Sequence, residues 1–492
     1  MRVLTTAVAA FAAAALGGCA TTAPPPGTAV QNTPVQSAPI QSAPIQSGRT
    51  KSLPKGLDSG RNDAAYASTY QPLPSRPTAL VDATIFTGTG ERIERGVVLI
   101  RDGRIEAVGA AIVPPASYDL VDAHGKYVTP GLIDAHSHLG VYPSPSAPAH
   151  SDGNELTDPN TAGVWAEHSV WPQDPGFNLA RAGGVTTLLV LPGSGNLIGG
   201  RSVTLRNIPA RTVQDMKFPG APYGLKMACG ENPKRVYGNR NRAPSTRMGN
   251  VAGYRTAWIN AADYGRRWDD YRAKVDRGDK ADPPKRDLQL ETLVGVLNGE
   301  ILVENHCYRA DEMVQMIGIA REFGYRITAF HHALEAYKIA DILAKEDICV
   351  ATWANWWGSK LEAWDAVEAN APMIHAAGGC AIIKSDDPDV IQRLNQEAAE
   401  ALAAGRAAGY EITEGEAMKW ITLNPAKAIG LDKETGSLEV GKRADVVLWD
   451  KNPFSIYAKA ERVYLDGAVA YDRHDRRYQP KSDFELGQGA GR

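Results

Sequence analysis

Residues 127–138 carry the stretch Tyr127-Val-Thr-Pro-Gly-Leu-Ile-Asp-Ala-His-Ser-His138. The short apolar run Leu132-Ile133 predicts a buried strand that ends at His136 and His138. Residues two apart point to the same side of a strand, so the two imidazoles can hold one metal ion as a pair. A lone His-x-His pair also occurs by chance on protein surfaces. The metal prediction therefore depends on further ligands from later strands.

Three later apolar runs end in side chains that bind metals. His306 ends Ile301-Leu-Val-Glu-Asn-His, His332 ends Arg326-Ile-Thr-Ala-Phe-His-His, and Asp386 follows Ala381-Ile-Ile-Lys-Ser. The C-terminal ends of barrel strands meet on one rim, so these side chains and the histidine pair can face a single cavity. Imidazole together with carboxylate suits Zn, Mn or Fe, and a catalytic site keeps one position open for water.

The middle of the chain alternates apolar strands with helical segments, which is typical of a parallel α/β architecture. Eight candidate strands fit a (β/α)8 TIM barrel with long insertions. They cover residues 132–138, 185–191, 203–205, 223–227, 301–306, 326–332, 349–353 and 381–385. His331 alternates with His332 along its strand, so we expect it to pack behind the barrel.

Short strands recur at both ends of the folded region. Residues 96–109 and 461–471 each predict a hairpin, with turns at Asp102-Gly103 and Asp466-Gly467. Two strand-rich ends around a long mixed middle predict one small β domain, built from residues 76–128 and 430–478. The catalytic barrel at 129–429 would be inserted into it.

The first 19 residues predict a targeting segment that is not part of the fold. Residues 7–16 form an apolar core of about ten residues, which is too short for a permanent membrane span. Leu16-Gly17-Gly18-Cys19 resembles a bacterial lipobox, which implies that Cys19 is lipidated. An ordinary cleaved signal is the alternative. Ala20 after the cysteine favours an outer-membrane lipoprotein that faces the periplasm.

Composition sets further bounds. Residues 20–75 are rich in Pro, Ser and Gln, which predicts a disordered tether. The 492 residues are 43% hydrophobic, which is enough for a large core. The net charge is -3 and there is no basic cluster, which argues against a nucleic-acid partner.

The chain has 5 cysteines and no Cys-x-x-Cys, which argues against a disulfide scaffold. We expect the last four cysteines to be small buried hydrophobes.

Residues 78–475 resemble the amidohydrolase superfamily, in particular its imidazolonepropionase-like and prolidase-like members. The resemblance rests on Thr129-Pro-Gly-Leu-Ile-Asp-Ala-His-Ser-His138, the strand-end histidines, Ser385-Asp386, Asn424-Pro-Ala-Lys-Ala-Ile-Gly430 and Gly436-Ser-Leu-Glu-Val-Gly-Lys-Arg-Ala-Asp-Val-Val-Leu-Trp-Asp450. It implies an α/β fold in which a distorted (β/α)8 TIM barrel is inserted into a small β-sandwich formed by both termini. This agrees with the layout predicted above.

The resemblance also implies roles for the strand-end residues. His136 and His138 resemble the ligands of the more buried ion, whereas His306 and His332 resemble those of a neighbouring site. Asp386 resembles the last-strand carboxylate that binds metal and moves the proton. The number of ions, one or two, stays open.

Lys226, in Gly224-Leu-Lys-Met-Ala-Cys-Gly230, stands where many binuclear members carry a carbamylated lysine that bridges two ions. Carbamylation turns an ammonium, which cannot bind a cation, into an anionic oxygen ligand. The alternative is a solvated or substrate-facing lysine, with Glu231 as the replacement ligand from the same loop. Arg309 is a candidate for binding an anionic substrate group, and a helix-start salt bridge is its alternative.

The expected reaction is hydrolysis of an amide, peptide or cyclic amide by metal-activated hydroxide, with Asp386 as proton shuttle. Deacetylation of an amino sugar and deamination use the same chemistry and remain alternatives. A non-catalytic lipid-anchored binding protein is the alternative from another class. The expected partners are a small-molecule or short-peptide substrate and the membrane, and the sequence leaves a homo-oligomer open.

Overall fold

The computed structural model describes residues 53, 56–58, 66–144, 146–356 and 358–479. The predicted signal segment, the lipidation residue Cys19 and nearly all of the tether up to residue 65 lie outside the described residues. In the part of the chain that is described, no helix is both long and apolar enough to cross a membrane.

The described strands, in chain order, are β1 (Thr78–Phe86), β2 (Arg92–Arg101), β3 (Arg104–Gly109), β4 (Asp119–Asp122), β5 (Tyr127–Pro130), β6 (Leu132–Ser137), β7 (Val185–Val190), β8 (Ile198–Arg206), β9 (Gly224–Ala228), β10 (Leu302–Cys307), β11 (Ala329–His332), β12 (Cys349–Thr352), β13 (Ala381–Ile383), β14 (Val446–Trp449), β15 (Ala460–Leu465) and β16 (Ala468–Asp472).

The described α-helices are α1 (Pro175–Ala182), α2 (Val213–Met216), α3 (Glu231–Gly238), α4 (Arg247–Asp276), α5 (Leu288–Leu297), α6 (Ala310–Phe323), α7 (Ala340–Lys345), α8 (Asn370–Ala376), α9 (Leu394–Ala407), α10 (Glu414–Met418) and α11 (Leu423–Ala428).

One sheet joins both ends of the folded region. Its strand order is β16-β15-β14-β5-β1-β2-β3, and β4 also pairs with β1. The early strand β5 pairs antiparallel with the late strand β14, with Val128 opposite Leu448. Leu80, Val98 and Val446 belong to the apolar cluster that packs within this layer. The prediction of a separate β layer formed by the terminal strands is confirmed.

The second sheet is the barrel, and it contains the eight predicted barrel strands in the order β13-β12-β11-β10-β9-β8-β7-β6. Its first and last strands approach each other at the C-terminal rim. There the backbone N–H of Asp386 donates to the carbonyl of His136 at 2.9 Å. The predicted barrel is confirmed as a nearly closed sheet, with the metal-ligand candidates at strand ends.

Strand β8 runs antiparallel to both of its neighbours, unlike the other strands of the barrel. The connection from β7 to β8, residues 191–197, is too short for a crossover helix, which needs about a dozen residues or more. A short connection returns the chain as a hairpin. The barrel is distorted at this point for that reason.

The chain passes from the first sheet into the barrel at Gly131, between β5 and β6. A Cβ atom at Gly131 would lie 2.2 Å from the hydroxyl oxygen of Thr186. No larger residue fits there unless the Thr186 side chain on β7 moves. The Pro-Gly step thus brings β6, which contains His136 and ends one residue before His138, close against β7.

The expectation about cysteines was wrong. Cys229 is bonded to Cys307, and Cys349 is bonded to Cys380, with Cα atoms 5.2 and 4.5 Å apart. Neighbouring parallel strands hold residues at the Cα separation that a disulfide requires. The partners are 78 and 31 residues apart in sequence, which is why spacing motifs did not reveal them.

The structure also differs from the predicted tether at residues 66–75. The Tyr70 hydroxyl donates to Asp466 in the first sheet, and Tyr70 is buried. The Ser68 hydroxyl donates to the carbonyl of Lys217 at 2.6 Å. The packed part of the chain therefore begins about ten residues before β1, because an aromatic residue finds an apolar and hydrogen-bonded position there.

Candidate metal centre

His136, His138 and Asp386 converge at the rim between β6 and β13. The Nε2 atoms of both histidines lie 3.2 Å from Oδ1 of Asp386. Their ligand atoms all lie within 4.8 Å of one another, close enough to hold one ion. Asp386 adopts a left-handed backbone with φ 66°. Such a conformation is uncommon for a residue other than glycine and concentrates at functional sites.

The hydrogen bond made by His138 fixes its tautomer. Its Nδ1 atom lies 2.8 Å from the carbonyl oxygen of Leu191. A carbonyl only accepts, so Nδ1 carries a proton, and in the neutral ring Nε2 is left with a lone pair toward Asp386. This is the arrangement that a metal-binding histidine needs.

Asp134, from the opening sequence stretch, holds β6 and β13 together beneath this rim. Its Oδ1 accepts from the backbone N–H groups of His136 at 3.1 Å and Ser385 at 3.2 Å. Its Oδ2 accepts from the Ser385 hydroxyl. Burial raises the pKa of Asp134 to about 6. Sequence reasoning missed this residue, although it alternates in register with His136 and therefore faces the same side.

Lys226 projects from β9 into the same site. Its Nζ lies 3.3 Å from Nε2 of His136, and the side chain is buried. Burial lowers the pKa of Lys226 to about 7, since a charged ammonium loses its hydration there. A neutral amine is therefore accessible near pH 7.

His306 and His332 lie beside each other on the neighbouring strand ends, with ring centroids 4.2 Å apart. His306 is buried, and its Nδ1 has no hydrogen-bond partner among the described atoms. Nδ1 of His332 accepts from the ammonium of Lys384 at 3.0 Å and lies 3.7 Å from Asp386. Both histidines are on the predicted rim, next to the three-residue cluster.

The position of His331 corrects the sequence prediction. This residue does not pack behind the barrel, because its Nδ1 lies 2.8 Å from Nδ1 of His136, inside the site. Strand alternation fails here since His332 has φ 69° and has left the extended conformation. His331 also stands opposite His306 in the pairing of β10 with β11. Two adjacent histidines can therefore both face the centre.

Lys384 is a further residue that sequence reasoning missed. Its Nζ lies 3.1 Å from Oδ2 of Asp386 and 3.6 Å from the ring centroid of Trp353. Burial lowers its pKa to about 8. Its position two residues before Asp386 was the available signal, because residues two apart share a strand face.

The two remaining candidates do not point at the histidines. Arg309 forms a paired ion contact with Asp311 at the start of α6, with nitrogen–oxygen distances of 2.9 Å. This is the helix-start salt bridge that was its alternative. Glu231 lies 3.8 Å from the ammonium of Lys360, whereas its neighbour Asn232 contacts Nε2 of His306 at 3.5 Å.

The residues present fit a divalent metal ion. Two imidazoles and one carboxylate form the donor set, and the tautomer of His138 is already suited to coordination. The buried, unpartnered Nδ1 of His306 marks a polar atom for which the described side chains offer no partner. Buried polar atoms of this kind are costly unless a ligand satisfies them.

Comparisons with known proteins bear on the family and the fold. The Amidohydrolase family matches residues 389–471 of the chain. The crystal structure of an amidohydrolase from Thermotoga maritima MSB8 has 35% sequence identity and a TM-score of 0.73, over 80% of this chain and 100% of that chain. The chain belongs to the amidohydrolase family.

Sequence relatives of this amidohydrolase include another amidohydrolase and imidazolonepropionases. Amidohydrolase tasK of Hapsidospora irregularis is 31% identical over 396 residues, which cover 77% of this chain. The chain spans only 39% of the length of that relative. An imidazolonepropionase of Mesorhizobium japonicum is 26% identical over 424 residues, 76% of this chain and 90% of the relative.

Proposed function

We propose that this amidohydrolase hydrolyses a carbon–nitrogen bond of an amide, peptide or cyclic amide with a divalent metal ion, Zn in the first instance and Mn or Fe as alternatives. The observation that carries the proposal is the convergence of His136, His138 and Asp386, with both Nε2 atoms 3.2 Å from one carboxylate oxygen. This donor set is that of catalytic sites that leave one position open for water.

A divalent ion held there supplies Lewis acidity, which lowers the pKa of a water molecule to about 7 and polarises a carbonyl. Asp386 moves the protons. It accepts one from the attacking water and returns it to the leaving nitrogen, first as a general base and then as a general acid. The ammonium of Lys384, 3.1 Å from Oδ2, orients this carboxylate.

Lys226 supports a version of the site with two ions. Burial lowers the pKa of Lys226 to about 7, so the neutral amine is accessible. It can add CO2 through a new N–C bond and release one proton to solvent, which leaves an anionic carbamate. Lys226 lies 3.3 Å from Nε2 of His136, and as a carbamate it would hold a second ion together with His306 and His332. We expect bicarbonate to increase metal uptake by the wild-type protein but not by Lys226→Arg, which cannot form the carbamate.

Metal analysis and one substitution test the proposal. The purified protein is expected to retain a transition metal. Asp386→Asn is expected to fold normally and to lose about 100-fold or more in kcat, because proton transfer is removed. The matched control is Asp389→Asn, three residues further along and exposed. Near wild-type turnover by Asp386→Asn would contradict the role of Asp386, and a protein without bound metal would favour a non-catalytic binder.

A substrate screen with the Zn- or Mn-loaded enzyme identifies the reaction. Dipeptides, cyclic amides and imidazolonepropionate represent the leading proposal, the last because of the name carried by relatives. N-acetyl amino sugars and amino-substituted bases represent deacetylation and deamination. Activity confined to either of the latter groups would replace amide hydrolysis as the assigned function.

We propose that the protein lies in the cell envelope, anchored by lipid at Cys19. Two disulfides support this proposal, because such bonds persist in oxidising compartments and are rare in the cytosol. Labelled palmitate is expected to enter the full-length protein and not Cys19→Ala, which should leave the membrane fraction. Membrane association that is unchanged in Cys19→Ala would contradict lipid anchoring.

A further inference from the structure

A chain of three buried side chains lies behind the candidate metal ligands. Nδ1 of His136 is 2.8 Å from Nδ1 of His331, and Nε2 of His331 is 2.6 Å from Oε2 of Glu304. His136 and His331 have no exposed surface, and Glu304 is 1% exposed. These hydrogen bonds thus connect Glu304, in the barrel interior, to Nδ1 of His136, whose other ring nitrogen, Nε2, faces Asp386.

Neighbouring strands of the barrel hold these residues in place. Glu304 on β10 stands opposite Lys226 on β9, and two residues later His306 stands opposite His331 on β11. All are therefore supported by backbone ladders rather than by loops. Barrel interiors are normally filled by bulky apolar side chains. Burying a carboxylate and an imidazole there costs a large desolvation free energy, whereas apolar side chains would fill the same space without that cost.

The hydrogen bonds allow two proton arrangements. When Glu304 is a carboxylate it only accepts, so Nε2 of His331 carries a proton and Nδ1 of His331 accepts from Nδ1–H of His136. The Nε2 atom of His136 then presents its lone pair toward Asp386. In the other arrangement Glu304 donates as an acid, His331 donates from Nδ1, and Nε2 of His136 is protonated. Both arrangements keep the three side chains in the same hydrogen-bonded contact, and the first leaves Nε2 of His136 free for a metal ion.

We propose that Glu304 and His331 are positioning residues that hold the His136 ring with its Nε2 atom turned toward the metal site. The inference rests on the proposed metal-dependent function. It extends the familiar pattern in which a metal-bound histidine donates its other N–H to a carboxylate. Here a second histidine stands between the two, and Glu304 acts on His136 through it.

Metal affinity of folded variants tests this role without relying on activity. We expect Glu304→Gln and His331→Phe to weaken Zn binding by about 10- to 100-fold in competition with a chelator, the usual effect of removing such partners. We also expect them to change the visible absorption of the Co-substituted protein, since His136 is no longer oriented. Glu167→Gln is the matched control, because Glu167 is a buried carboxylate paired with Lys217 at 2.6 Å, away from the cluster.

If the folded variants keep wild-type Zn affinity and an unchanged Co spectrum, the positioning role of Glu304 and His331 is wrong, whereas the proposed function still stands. If the wild-type protein binds no ion, both the proposed function and the positioning role are wrong. Nitrogen-15 NMR of the Zn-loaded wild-type protein, labelled at histidine, needs no substitution. In the Zn-loaded protein we expect a proton on Nε2 of His331. A proton on Nδ1 of His331 instead would contradict the proposed hydrogen bond from His136 to His331.

Discussion

At the scale of single residues, Asp134 connects the two strands that lead to the candidate metal ligands. It accepts hydrogen bonds from the backbone of His136 on one side and from the backbone and hydroxyl of Ser385 on the other. The neighbouring Asp386 is thereby held beside His136. The carboxylate of Asp134 thus links barrel closure to the geometry of the site.

Asp134→Ala is expected to lower both stability and metal affinity. The substitution leaves buried donors of His136 and Ser385 without a partner, at a cost of about 1–3 kcal/mol in the free energy of unfolding. Urea denaturation and chelator competition measure the two effects. Asp282→Ala, at an exposed position, is the control and should change neither. A stable Asp134→Ala protein with normal metal affinity would show that Asp134 has no such role.

At the scale of elements, the disulfides tie neighbouring strands at opposite ends of the barrel. Cys229–Cys307 joins the C-terminal ends of β9 and β10, next to Lys226 and His306. Cys349–Cys380 joins β12 to β13 at their N-terminal ends. The two bonds therefore allow a matched comparison, since one lies near the candidate metal ligands and the other is remote from them.

Removing either disulfide by paired Cys→Ala substitution should reduce the free energy of unfolding by about 2–4 kcal/mol. Only loss of Cys229–Cys307 is expected to weaken metal binding as well, because it frees the strand ends that carry Lys226 and His306. Thermal unfolding and metal titration of the two double variants measure this. Equal effects on metal affinity would contradict the distinction.

Helix α9 contains a carboxyl group that makes stability depend on pH. Burial, and then the charge of Glu400, raise the pKa of Glu397 from 4.5 to about 7. Between these values the unfolded chain releases the proton while the folded protein retains it, so stability falls as pH rises from about 4.5 to 7. The expected loss is on the order of 2 kcal/mol, after allowance for partial exposure.

Glu397→Gln should remove the part of this pH dependence that Glu397 contributes. Urea denaturation at pH 5 and pH 8 should show the variant gaining stability relative to wild type at the higher pH only. An identical difference at both pH values would contradict the assignment to Glu397. The exposed neighbour Glu400 provides the control Glu400→Gln, which should retain most of the pH dependence.

At the scale of the whole molecule, a buried ion cluster joins the barrel to the first sheet. The guanidinium of Arg206, at the end of β8, lies 2.5 and 2.6 Å from the two oxygens of Asp445 and 3.1 Å from Asp466. Asp445 directly precedes β14, and Asp466 lies in the turn before β16. Arg206 is fully buried, so this charge depends on partners from the other layer.

Asp445→Asn is expected to destabilise the protein by about 3–5 kcal/mol, because it leaves a buried charge poorly compensated. Glu322→Gln breaks the exposed pair with Arg255 and should cost at most about 1 kcal/mol. Equilibrium denaturation of both variants compares them. Similar small effects would show that the cluster does not hold the two layers together.

Much of the fold was predictable because its signals are local. The apolar runs that end at His136, His306 and His332 marked barrel strands, and the paired hairpins marked the terminal sheet. The antiparallel direction of β8 follows from the short connection between β7 and β8, and the length of that connection could be read from the sequence. The disulfides, the ion cluster of Arg206 and the inward position of His331 depend on residues that are distant in sequence.

By itself, the sequence determined the order of strands and the residue types at their ends, because periodicity and turn residues act over a few positions. Only the tertiary structure decided which nitrogen atoms face Asp386, where Lys384 and Asp134 lie, and that Glu304 stands behind His136. Those relations depend on register between strands and on left-handed backbone at His332 and Asp386, which arise from packing across the closed barrel.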